Sequence, residues 1–82
     1  MKTKDVFAKA AARLFDTTPE KVEEHFRTTG LLSLPEFQAE MPAEKQAEIE
    51  AMDMEKFRII LTAILDALGV SMSKMEKAIQ KG

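Results

Sequence analysis

The sequence predicts an all-α protein: a compact bundle of five or six short helices around a central apolar helix at about 54–68, forming one domain over residues 1–82. Two observations predict it. Between its prolines, glycines and capping residues, every segment places apolar side chains at spacings of three and four, the period of a helix with one buried face. No hairpin signal or glycine-rich loop interrupts that pattern.

The first helix is expected over about Lys4 to Phe15, with Phe7, Ala10, Ala11 and Leu14 on one face. Its run Ala10-Ala11-Ala12 favours helix and lets a neighbouring backbone approach closely. Asp16 to Glu20 breaks it. Pro19 suits a first helical position with Thr18 as cap, or Thr17 and Glu20 form a capping box; both start a second helix, whose large anchors are Val22 and Phe26. Gly30 stands where a left-handed C-cap is expected, and Leu31, Leu32 and Leu34 then cross the core. Ser33, as a cap, with Pro35 and Glu36 starts a short third helix bearing Leu34, Phe37 and Met41. Pro42 opens or kinks the next segment, a charged stretch from Ala43 to Met52 whose apolar side is Ala43, Ala47, Ile49 and Met52.

Asp53 is a cap for the apolar helix. Met54, Phe57, Leu61, Ile64 and Leu68 form its stripe, and Ile59, Ile60, Ala63, Leu65 and Ala67 add apolar flanks, so it needs neighbours on more than one side. Gly69 ends it, Val70 fills the apolar position of a Schellman turn, and Ser71 caps a last helix carrying Met72, Met75 and Ile79.

A chain of 82 residues supports a small core and a stability margin of a few kcal/mol. With no cysteine, packing alone must hold it, and a reducing compartment is compatible. No apolar stretch is long enough for a membrane span or a signal sequence, so the expected location is cytoplasmic, with no membrane partner. The net charge of −2 is unevenly spread: residues 1–14 carry +3, residues 15–55 carry −8 and residues 56–82 carry +3. Two basic ends therefore flank an acidic middle, a pattern that either steers partners or simply keeps the surface solvated.

Catalytic and metal chemistry find no footing. The one histidine, His25, follows Val22 and Lys21 at the third and fourth positions before it, so neither the Glu-x-x-His nor the His-x-x-x-His spacing of helical metal sites is present. The i,i+4 pairs Glu20/Glu24, Glu36/Glu40 and Glu44/Glu48 read as solvated faces, without an apolar pocket to raise one partner's pKa. No nucleophile, base and orienting group converge; the expectation is a protein that is not an enzyme, with no cofactor and no metal.

Two stretches resemble known families. Ile64 to Ile79, with Leu68-Gly69-Val70-Ser71 between two helices, resembles the central pair of helix-turn-helix DNA-binding domains. That resemblance implies that Ser71, Ser73, Lys74, Lys77 and Lys81 face nucleic acid. The same residues also read as an ordinary helix-to-helix corner. The approach through Val22, Phe26 and Gly30-Leu31-Leu32-Ser33-Leu34 is similar to that of acyl carrier proteins, which implies Ser33 as the attachment point for a phosphopantetheine arm.

The leading expectation is an interaction module, a small regulator or adaptor that self-associates or docks a partner helix. The helix from Met54 carries more apolar surface than Val22/Phe26 and Ala43/Ala47 obviously cover, and six methionines suit either an irregular core, their commoner role, or an adaptable groove for a partner's helix. Phe57, Ile60, Leu61, Leu65, Met72 and Met75 are the expected partner-binding residues, toward a protein partner or a second copy.

Overall fold

The computed structural model describes Met1 to Lys81, the last of these by its backbone alone. Six helices follow one another: α1 (Thr3–Phe15), α2 (Pro19–Thr29), α3 (Pro35–Gln38), α4 (Ala43–Glu50), α5 (Met54–Ala67) and α6 (Met72–Lys81), with a 3-10 turn at Leu31–Ser33. This is the all-α bundle that the periodicity requires, and most of its boundaries lie where the local chemistry put them; α3 stops at Gln38, short of Met41, and α4 at Glu50, short of Met52. Thr18 caps α2 through Oγ1, which accepts from the Lys21 amide at 3.4 Å, and Pro19 occupies the first turn. The Asp53 carboxylate likewise accepts from the Glu55 amide at 3.0 Å to start α5.

Helix ends are as informative. After α5, the Val70 amide donates to the Leu65 carbonyl and the Gly69 amide to that of Asp66, both at 2.9 Å, with Gly69 at φ 76°. This is the Schellman turn, and the half-buried Val70 packs against the core behind it. Gly30, at φ 86°, ends α2. The end of α1 uses Asp16 in the left-handed region at φ 55°, with the Thr17 amide donating to the Ala12 carbonyl at 2.9 Å. Ser33, expected as a cap, ends the 3-10 turn instead; its amide donates to Gly30, and Leu34, which has no side-chain acceptor, precedes α3.

Packing centres on α1, the helix that all the others touch. Val6, Ala8, Ala10, Ala11, Ala12 and Phe15 are all buried, so that α1 is covered nearly all round and only the strip bearing Lys9 and Arg13 stays exposed. α5 rests on α1 and α6, burying Phe57, Leu61 and Leu65; Met54, Ile64 and Leu68, the rest of the expected stripe, lie at its half-buried edges. α6 inserts Met72, Met75 and Ile79 against α2, α5 and α1. α4 contributes less than expected, because Ile49 is buried whereas Ala43 and Ala47 face solvent.

The chain start is tied to the α3–α4 connection by an antiparallel bridge. The Thr3 amide donates to Ala39 at 3.0 Å and the Met41 amide to Met1 at 2.8 Å. At the other end of α1, the Arg13 guanidinium donates to the Glu50 carbonyl at 2.8 Å, closing the last turn of α4. Both contacts hold the α3–α4 segment along one side of α1.

Asp16 holds a conformation that a Cβ disfavours, so Asp16→Gly is expected to stabilise the fold by about 0.5–1 kcal/mol. Thermal unfolding would show this as a rise of roughly 2–8 °C in Tm; an unchanged or lowered Tm would mean that the aspartate side chain compensates for its backbone.

Candidate functional site

The packing of α5 explains where a site can form. Phe57, Leu61 and Leu65 point at α1, Arg58 and Thr62 turn toward α6, and the opposite flank, with Ile60, Ile64 and Ala67, borders open pockets. Arg58 closes the α6 side through an ion pair with Glu76. On the open side, α3 and α4 stand across from α5 with a gap between them, and Phe7 of α1 lies at its bottom.

The gap, a groove along α5, holds two pockets whose linings have Phe7 in common. One, of about 530 Å³, is lined by Thr3, Phe7, Leu34, Glu36, Phe37, Ile64, Ala67 and Leu68. The other, of about 220 Å³, is lined by Phe7, Lys45, Glu48, Ile49, Met52, Phe57 and Ile60. Phe7 belongs to both. Its ring meets Phe37 edge-on at 5.1 Å, with the planes at 73°, and meets Phe57 at 5.5 Å, tilted by 45°. These arrangements are favourable for aromatic quadrupoles, so the buried rings of Phe37 and Phe57 firmly back Phe7 at the apolar floor. Between Phe57 and Leu68 the α5 wall runs about 16 Å, the length of three helical turns. Outside it, Ile59 is 65% exposed and, with Ala63, continues the apolar surface over the rim.

The expected partner-binding residues divide sharply. Phe57, Leu61, Leu65, Met72 and Met75 are all buried in the chain's own core, each under a tenth exposed, and have no surface left to offer. Ile60 alone is half-exposed and lines the groove. Its companions there, Phe7, Leu34, Ile64, Ala67 and Leu68, come from α1, from α5 and its end, and from the turn before α3. Sequence reasoning missed them as a site because periodicity identifies which face of a helix is apolar, not which part of that face a neighbour leaves uncovered.

The residues of the helix-turn-helix resemblance sit elsewhere. Ser71, Ser73, Lys74 and Lys77 are exposed on the outer side of α6, and the side chain of Lys81 lies outside the described residues. Glu76, the one acid of α6, is turned to Arg58 and away from the lysines. Ser33 is exposed at the end of its turn.

No family model, curated protein or solved structure matches this chain. The site is therefore read from its geometry. Among the described residues no group of three or more histidine, cysteine or acidic side chains is placed to hold a metal ion. His25 is half-buried beside Lys74 and Met75, between α2 and α6. No helix among the described residues is long and apolar enough to cross a membrane.

The floor and the rim should respond differently to substitution. Phe7→Ala removes a ring that two others pack on and should cost about 3 kcal/mol, whereas Ile59→Lys, on the exposed ridge, should stay within about 0.5 kcal/mol. Urea unfolding of the two variants checks this; equal losses would mean that the exposed ridge is packed in solution.

Proposed function

We propose that this protein is a non-enzymatic helical interaction module, a small cytoplasmic regulator or adaptor, that docks a partner helix in the groove between α5 and the α3–α4 segment. The observation that carries this reading is the groove itself: half-buried Phe7 at its floor, backed by the buried rings of Phe37 and Phe57, with half-buried Leu34, Ile60, Ile64 and Leu68 on its walls. Covering apolar surface of this kind is worth roughly 25 cal/mol per Å², and contiguous apolar surface bordered by polar residues is the usual mark of a protein-binding site. The three-turn length of the α5 wall suits a helix.

A photo-cross-linking residue placed at position 67, exposed on the groove wall, should form a covalent adduct with a protein in the cells that make this chain. The same residue at position 24, exposed on α2, should not. Adducts from both positions, or from neither, would defeat the docking reading.

A second reading, duplex DNA binding through α6, is supported by the turn of Glu76 toward Arg58, which leaves Lys74 and Lys77 exposed without an acid between them. It predicts binding at low salt that weakens with ionic strength and falls on Lys74→Ala with Lys77→Ala. Fluorescence anisotropy with a labelled duplex measures it, and no binding at low salt removes this reading.

A further inference from the structure

The two walls of the groove differ in charge. The α3–α4 wall spans residues 35–50, which hold Glu36, Glu40, Glu44, Glu48 and Glu50 against Lys45, a balance of −4. All five carboxylates are exposed. Glu36 lines the groove directly, as do Glu48 and the one base of this wall, Lys45, and Glu44 lies one turn from Glu48 on the same side of α4. Glu40 is held by the N-terminal ammonium at 3.3 Å and Glu48 loosely by Lys45 at 3.8 Å; among the described residues Glu36 and Glu44 form no ion pair. The α5 wall, by contrast, presents Ile60, Ile64, Ala67 and Leu68, with Lys56 beyond its N-terminal end.

Building on the proposed docking function of this groove, on which the inference rests, we propose that the occupant is an amphipathic helix of a different protein. It is about three turns long, with an apolar stripe over Phe7, Ile60, Ile64 and Leu68 and lysines or arginines along the one edge that meets α3 and α4. The apolar wall fixes where the stripe lies and the acidic wall fixes which edge is basic, so the charge sets orientation as well as partner choice. A second copy of this chain has no such helix to offer. Its basic helices α1 and α6 have their apolar faces buried in its own core, and the exposed side of α5 carries Lys56 and Asp66 rather than a basic edge.

The test uses the full chain and two labelled peptides of about four helical turns, each with leucines at spacings of three and four, one with lysines and the other with glutamates along one flank. Fluorescence anisotropy is read at two ionic strengths, for which the screening length is roughly 30 Å and 8 Å. The lysine peptide should bind about ten-fold tighter than the glutamate peptide at the lower ionic strength, with the gap narrowing at the higher. Combining Glu36→Lys, Glu44→Lys and Glu48→Lys should invert the ranking, and Ile64→Gln should weaken both peptides, with circular dichroism confirming that each variant is folded. Equal affinities, or a preference that survives the triple substitution, would overturn the basic-edge proposal while leaving the docking reading intact. If neither peptide binds, the helical occupant is wrong, and cross-linking from position 67 decides separately whether the groove docks anything. Dimers in sedimentation that Ile64→Gln dissociates would assign the groove to a second copy instead.

Discussion

The close approach of every other helix to α1 is the constraint on which the rest of the fold depends. A helix covered nearly all round must carry side chains small enough for several backbones to come near, and Ala8, Ala10, Ala11 and Ala12 meet that need. Val6 and Phe15 fill the larger spaces at either end. Because α1 takes the centre, α5 loses the two-sided burial that its composition invites. It places one stripe on α1, closes another side against α6, and is left with an apolar flank that the short α3 and the charged α4 border without covering.

From that arrangement the groove follows. Phe7 stands at the edge of α1's buried surface, and its ring reaches Phe37 and Phe57 at once, so the aromatic floor and its backing are shared by three helices. The bridge between the chain start and Ala39 to Met41, and the Arg13 contact to α4, hold the opposite wall in place. Firm walls around an apolar floor lower the ordering cost that a docking partner must overcome. Glu36, Glu44 and Glu48 fall on one wall because α3 and α4 are the elements that flank the groove, and Lys74 and Lys77 are carried on the outer side of α6.

Fold class, helix boundaries and end-capping were legible in the residues themselves. Thr18-Pro19, Gly30, Asp53 and Gly69-Val70 act within a few positions of the chain, and such signals do not depend on distant packing. The departures were local too. Ser33 is not a cap, because the 3-10 turn that begins after Gly30 carries its amide, and Ala43 and Ala47 face solvent because α4 turns Ile49, and not its alanines, to the core. The candidate site was much less legible. Of the six apolar residues expected to meet a partner, Ile60 alone offers exposed surface in the groove, since a residue strongly apolar by type is also the residue a small core most needs.

By itself the sequence determined that this chain is a cysteine-free helical bundle, where its helices begin and end, and that acidic and basic residues are segregated along it, since these depend on side-chain chemistry and short-range hydrogen bonds. Only the tertiary structure decided which helix is central, which side of α5 stays uncovered, and that Phe7, Leu34, Ile64 and Leu68 share one groove. Those outcomes depend on contacts between residues as far apart as Phe7 and Leu68, and no periodicity within a helix encodes which of its apolar flanks a distant neighbour will fill.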